Sequence, residues 1–409
     1  MTHFIQDIKR NSNKYNVFLF SLMALAFSIP FGDIYARMLF PFILLSWLPV
    51  VNKKDIINLF KNRVVIIFSL YIIVHIISLL WSEHIEEGVH FISRMIRYSY
   101  LPLIIIASSL QKKDTKYIIT AFVLGMFINE IISYLIYFNL YQTEYSKTHN
   151  WPVGFINHIP YSVLAAFTAI LILFQAKQIK NTLIKSIYLI FFITMTTNLV
   201  ISGGRTGYIV YFGCILILLF SFYQISLRNF IGLLIFPTIV FISAYNLDAS
   251  VQSRISASFS AIKKIESEDN FNSSLGARLA FYPMVYDILK QPENSFIWGS
   301  GTGDIYYNIE KSTKRTKLLN SIKKHLHNSY LTAYVNTGIP GLYLLILLLI
   351  SIWKVKTDHR EADFIKQLMV LSISISIFSD VILSIKATMI FFSVFCAITL
   401  TEATTEPPR

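Results

Sequence analysis

The sequence predicts an all-α, polytopic membrane protein of about twelve transmembrane helices with one large, mostly helical outer segment. Three observations predict it. Hydrophobic residues make up 54% of the 409-residue chain, too apolar for a surface that faces water. Apolar runs recur along the chain, among them 15–29, 64–80 and 342–353, without the strict alternation of a lipid-facing barrel strand. Lysines gather in alternate short loops, the pattern of a chain threaded back and forth through a bilayer. Helices satisfy their backbone groups internally, which is the ruling constraint inside lipid.

Windows of about 20 apolar residues place spans near 15–32, 34–51, 63–81, 97–110, 117–140 and 158–175. Six more fall near 186–201, 206–223, 229–246, 331–353, 365–384 and 387–401. The first is preceded by Lys9, Arg10 and Lys14 but lacks a small-residue cleavage site, so it is expected to stay as an anchor. Lys53, Lys54, Lys61 and Arg63, then Lys112, Lys113 and Lys116, then Lys177, Lys180 and Lys185 mark the cytoplasmic loops, with both termini on that side. The loop after the third span is acidic at Glu83, Glu86 and Glu87 and faces outward.

The chain therefore divides into helices one to nine (1–246), an outer segment (247–329), and helices ten to twelve with a cytoplasmic C-terminus (330–409). Within the outer segment, 254–265 and 275–289 have helical apolar spacing, with turn signals at 270–274 and 299–303. Residues 82–97 read as a smaller surface element, with Val89, Phe91, Ile92, Met95 and Ile96 toward lipid and Arg94 and Arg97 near the headgroups.

The formal charge of +13 is spread through short loops, which fits anionic lipid phosphates and not a nucleic-acid face. Cys214 and Cys396 both lie inside apolar runs, so no disulfide framework or thiolate metal site is expected. Asp304 and Glu310 stand alone, which argues against a paired-carboxylate mechanism.

Three motifs fall on the outer face. The first, His325-Leu326-His327-Asn328-Ser329-Tyr330, precedes a span containing Gly338-Ile339-Pro340-Gly341. Imidazole takes a proton near neutral pH, so a histidine here suits a general base, with Asn328 to orient it or the substrate; the plainer reading is an interfacial histidine bonded to its loop. Second, Ser202-Gly203-Gly204-Arg205-Thr206-Gly207 joins two spans. Its glycines allow close backbone approach to a phosphate and its arginine can bind one bidentately, or the motif is a turn whose arginine meets headgroups. A P-loop is excluded by the missing Gly-Lys-Ser/Thr ending. Third, Arg278 opens an amphipathic stretch that runs into Trp298-Gly299-Ser300-Gly301-Thr302-Gly303. The lysine-rich 311–317 run, Lys323 and Lys324 suit a solvated surface or a polyanion. Glu130 and Asp380 are acids in or near spans, equally suited to function and to helix–helix hydrogen bonding.

The order and spacing of these motifs over about residues 155–350 resemble the O-antigen ligase and polymerase superfamily. The resemblance implies a membrane-embedded, GT-C-like, inverting glycosyltransferase of the bacterial inner membrane that needs no metal or other cofactor, with its site facing the periplasm. It implies an undecaprenyl-diphosphate-linked glycan as donor and the lipid A-core oligosaccharide as acceptor. Carried over by motif, Arg205 and Arg278 bind the diphosphate and His327 activates the acceptor hydroxyl. His325, Asn328, His158, Tyr161, Arg94, Arg97 and Lys386 become lining residues, with Asn157 beside His158. An O-antigen polymerase with the same donor and a protein O-oligosaccharyltransferase are the neighbouring readings. A transporter or flippase would show charged or broken helices at the bilayer midplane and an internal repeat, and neither is evident.

Overall fold

A computed structural model describes residues 2–145, 151–223, 274–316 and 325–404, with scattered positions between 235 and 263. All the named elements are helical. The first half of the chain gives α1 (Thr2–Ser28), α2 (Asp33–Trp47), α3 (Lys53–Leu59), α4 (Arg63–Ile77), α5 (Ile85–Met95), α6 (Leu101–Ser109), α7 (Thr115–Tyr137) and α8 (His158–Gln178). Then come α9 (Thr182–Ile201), α10 (Arg205–Tyr223), α11 (Ser274–Leu289), α12 (Ile305–Thr316), α13 (Ser329–Trp353), α14 (Arg360–Ser379) and α15 (Lys386–Thr401).

Among the described residues, seven helices are long and apolar enough to cross a bilayer: those built on α1, α4, α7, α8, α9, α13 and α14. The apolar helices α2, α10 and α15 complete the bundle. The protein is a multi-pass membrane protein. The ninth expected span and the 254–265 stretch fall where only scattered positions are described, and Lys317, Lys323, Lys324 and the turn at 270–273 lie outside the described residues.

At the centre stands α8, buried all round, with the small residues Ala165, Ala166 and Ala169 among its buried positions. Phe122, Phe167, Phe391 and Phe395 from α7, α8 and α15 lock together beside it, with ring centroids 4.7 to 6.0 Å apart.

The region 82–110 differs from expectation. A surface element and a separate span at 97–110 are replaced by one continuous helix, α5 passing through a wide π-turn at Ile96–Tyr100 into the short α6. Pro102 has no N–H to give the Tyr98 carbonyl, and the wider turn absorbs that loss. Nor does the apolar face of α5 all turn to lipid. Val89 is exposed, but Ile92 and Met95 are buried in the core and Phe91 packs on His75 with ring centroids 5.2 Å apart.

The Gly-Ile-Pro-Gly sequence explains how the glycine-rich loop at 299–303 is fixed to the bundle. In α13, Gly338 leaves helical geometry at φ 65°, ψ −152°, and Pro340 cannot donate to the Asn336 carbonyl. The Ile339 N–H is diverted to the Ile297 carbonyl at 3.0 Å. The two carbonyls so released, Val335 and Asn336, accept from the N–H groups of Ser300 and Gly301 at 2.7 and 3.1 Å. The same glycine-rich loop grips α4 and the turn after it. Thr302 Oγ1 lies 2.8 Å from His75 Nδ1 and 2.6 Å from Ser78 Oγ. Asp304 accepts from Ser82 Oγ at 3.1 Å and from the backbone N–H groups of Glu83 and His84 at 3.1 and 2.8 Å. Gly303, at φ +124°, sits where a Cβ would overlap the His84 carbonyl, so this close approach needs glycine. The loop is a clamp between α4 and α13.

Asp304→Ala is therefore expected to strand two backbone donors at about 1 to 3 kcal/mol each. A lower melting temperature in detergent and faster proteolysis near residue 298 would follow. Unchanged values for both would mean that Asp304 does not hold the loop.

Candidate active site

Arg205, Arg278 and His327 are brought to one end of the bundle, the end opposite the lysine-rich loops that precede α4, α7 and α14. Each is positioned by a local feature of sequence. Arg205 is the first residue of α10, and Gly204 and Gly207 let that turn close on Ser162 of α8, where any Cβ would overlap the serine. The Ser162 hydroxyl accepts from the Gly207 N–H at 3.2 Å. Gly204 and Gly207 thus serve helix packing.

Arg278 lies one turn into α11, whose Phe281, Met284, Val285, Ile288 and Leu289 form a small separate core with Leu326 and Val335. Leu326, fully buried there, anchors the loop that carries its two neighbouring histidines. His325 is exposed on that loop. His327 adopts the left-handed region at φ 44°, a conformation that costs a non-glycine residue about 1 to 2 kcal/mol. Its ring packs against Phe281 with centroids 5.9 Å apart.

Asp380, at the C-terminal end of α14, ties the cluster together. Its Oδ1 lies 3.2 Å from His327 Nδ1 and accepts from the Val381 N–H at 2.8 Å. Its Oδ2 lies 3.5 Å from an Arg278 terminal nitrogen, while Arg278 Nε donates to the Ser379 carbonyl at 2.9 Å. Ser379 Oγ in turn donates to Thr206 Oγ1 at 3.1 Å, linking this end of α14 to the Arg205 motif. The two guanidiniums are close enough for the Arg278 charge to act on Arg205.

Burial pushes the Asp380 pKa up, but the His327 hydrogen bond and charge, the Val381 N–H and the nearby Arg278 outweigh it, so the pKa is held below the ordinary carboxylate value. An ionised carboxylate can only accept. The His327 proton therefore sits on Nδ1, and Nε2 keeps its lone pair. Among the described residues Nε2 makes no hydrogen bond, and the side chain is 37% exposed against 3% for Asp380. The arrangement can take a proton at Nε2, stabilise the resulting imidazolium with Asp380, and hold an anion between two arginines.

A depressed native value places the Asp380 contribution to stability above the ordinary carboxylate range, near pH 4, and removes it as pH falls through the lower native value. Wild type is expected to lose melting temperature between about pH 5 and pH 3 more steeply than Asp380→Asn, which starts lower. Parallel curves would show that the carboxylate is not the titrating group.

The remaining expected residues are placed less centrally. Asn328 does not orient the histidine: its Oδ1 caps α13, accepting from the Tyr330 and Leu331 N–H groups at 2.9 and 3.0 Å. Tyr161 is fully buried, its hydroxyl 2.5 Å from Asn198 Oδ1, so it builds the core and lines no surface. Asn157 caps α8 through the Ile159 N–H at 3.1 Å, and His158 packs on Trp151 with centroids 4.2 Å apart. Lys386 is paired with Asp33 at 2.7 Å and lies over the Tyr98 ring. Arg94 is half-buried on α5, and Arg97, exposed, donates from Nε to the Ser93 carbonyl at 3.2 Å.

The multi-pass helical bundle thus brings a histidine–carboxylate pair and two arginines together at one end. Residues 190–346 match the family described as O-antigen ligase. The matched segment contains Arg205, Arg278 and His327, while Asp380 lies beyond it. A Haemophilus influenzae protein described as uncharacterized is 26% identical over 335 residues, 79% of each chain.

Proposed function

We propose that this protein is an O-antigen ligase, transferring a glycan from undecaprenyl diphosphate to the lipid A-core oligosaccharide at the periplasmic face of the inner membrane. The observation that carries the reading is the His327–Asp380 pair set beside Arg278 and Arg205. Between them the four groups hold two guanidinium charges and one carboxylate, an excess of one positive charge that suits a diphosphate.

In this mechanism the acceptor hydroxyl gives its proton to His327 Nε2 as its oxygen attacks the anomeric carbon. The bond from that carbon to the diphosphate oxygen breaks, and the electron pair leaves on undecaprenyl diphosphate. Arg205 and Arg278 stabilise the charge that grows there, so the chemistry needs no metal. Attack opposite the leaving group inverts the anomeric centre.

The single dominant outer segment and the spacing of Arg205, Arg278 and His327 favour ligase over polymerase. Lipopolysaccharide from a deletion strain separates the two: loss of the whole ladder with the core intact is expected. Core carrying one repeat would make the protein a polymerase.

A further inference from the structure

A second set of charges lies at the same end of the bundle as the transfer site, on the flank where α2, α5 and α15 meet. Asp33 opens α2 and Lys386 opens α15. The Asp33 Oδ2 accepts from Lys386 Nζ at 2.7 Å and lies 3.1 Å from Nε of Arg37, one turn further along α2. One carboxylate thus orients two cations. The terminal nitrogens of Arg37 make no hydrogen bond among the described residues, and its side chain is 49% exposed. Lys386 keeps two further N–H donors. Its Nζ also stands 5.7 Å from the centre of the Tyr98 ring, with Arg97 next in the chain and Arg94 four residues back. Neither of those arginines has a carboxylate partner among the described residues. Four cations on this flank stand against one carboxylate.

These charges lie below the membrane surface. Thr115, the first residue of α7, donates to the Glu402 carboxylate just past α15 at 2.6 Å, so α7 and α15 are level at the end of the lysine-rich loops. From there α7 runs for 23 residues, about 35 Å, and α15 for only 16, about 24 Å. Lys386 is therefore about 10 Å deeper than the far end of α7, and its bond to Asp33 puts the start of α2 at that depth too. A helix of about 24 Å falls short of a hydrocarbon core of about 30 Å, which leaves a recess at this flank. Ionisable groups at such a depth are costly and mark the path of a substrate.

Beside the recess, Ile34, Tyr35, Met38 and Phe42 of α2 are exposed to lipid. Free N–H donors on oriented cations, next to an apolar stripe, are what an anionic lipid needs: a phosphate on the cations and acyl chains along the helix. Lys386 follows Asp380 by six residues, so the recess is no more than about 20 Å from the transfer site. We propose that this recess binds a phosphomonoester on the acylated, membrane-anchored end of the acceptor, Arg37 and Lys386 donating to its oxygens, so that the sugar chain above is held toward His327. The identity of the lipid rests on the ligase reading. A phosphomonoester brings about 1.5 to 2 negative charges at neutral pH, which the excess of cations suits; a zwitterionic phospholipid brings its own ammonium and gains less.

The test uses the full-length protein in detergent with lipid A as the probe, and the same lipid A dephosphorylated by hydrogen fluoride, bound lipid being read by native mass spectrometry. Wild type is expected to hold lipid A at least tenfold more tightly than the dephosphorylated form. Arg37→Gln and Lys386→Gln are each expected to weaken lipid A binding about tenfold, the lower end of the effect of one charge-assisted hydrogen bond. Both variants should hold the dephosphorylated lipid as wild type does, which shows that they are folded. In transfer assays Arg37→Gln should raise the acceptor KM about tenfold, with donor binding unchanged. Equal retention of the two lipids by wild type, or unchanged lipid A affinity in both variants, overturns the proposal, as does displacement of lipid A by an equal concentration of phosphatidylglycerol. Binding is read here without glycan transfer, so a deletion strain that makes the protein a polymerase would leave phosphate-dependent binding at the recess standing, and a failed binding result would leave the ladder result standing.

Discussion

Replacing His327 with Ala is expected to lower the rate of glycan transfer by about a hundredfold to ten-thousandfold, the usual worth of a general base, while donor binding stays near wild type. The expectation follows from the tautomer. Asp380 fixes the proton on Nδ1 at 3.2 Å and leaves Nε2 as the basic nitrogen. No other titratable side chain among the described residues shares that carboxylate except Arg278, which cannot accept a proton at neutral pH. The left-handed backbone at His327 and the buried Leu326 beside it hold the ring in place. Transfer and donor binding by purified, folded variants decide the matter, and His325→Ala is the control. Were His325→Ala to abolish transfer while His327→Ala left it intact, the base would be the other histidine; were neither to matter, the mechanism would be wrong.

Much of this was legible in the sequence because hydropathy reports on lipid exposure directly. Runs such as that of α7 and α8 can be placed to within a few residues, and Arg205, Arg278 and His327 are marked by glycine, polar and turn residues that have no business in a plain span. Asp380 was visible only as an acid near the end of a span. Its partners lie 53 and 102 residues away along the chain, and no periodicity spans that distance. A charge at a helix end reads the same whether it orients a base or bonds a neighbouring helix. The role of the Gly-x-Gly-x-Gly run was hidden for a related reason. It depends on two carbonyls released at the break in α13, which a linear reading does not connect to a loop 35 residues earlier. The cap formed by Asn328 was not read from the sequence because an asparagine beside a histidine suggests an orienting partner, while an asparagine before a helix is just as strongly a cap.

Arg278→Lys keeps a positive charge and is nonetheless expected to lose about tenfold to a hundredfold in kcat/KM, with donor affinity falling as well. The guanidinium is held at two points: Nε donates to the Ser379 carbonyl at 2.9 Å, and a terminal nitrogen faces Asp380 at 3.5 Å. With those contacts made, the planar group still has further N–H donors in fixed directions for a diphosphate. An ammonium on a flexible stem that meets the carboxylate gives up both the carbonyl bond and the fork. Each lost charge-assisted hydrogen bond is worth about 1.5 to 3 kcal/mol, which sets the expected range. Part of the loss reaches the base, because Asp380 answers to both groups. A lysine drawn closer to that carboxylate competes with His327 Nδ1 for it, so the pH–rate profile should shift along with the affinity. Arg205→Lys, which has no such contact with Asp380 in the structure, is expected to weaken donor binding without moving the profile. Steady-state kinetics over a pH series, together with donor binding for each variant, distinguish the two. A normal kcat/KM for Arg278→Lys would leave charge alone as sufficient and remove the guanidinium fork from the mechanism.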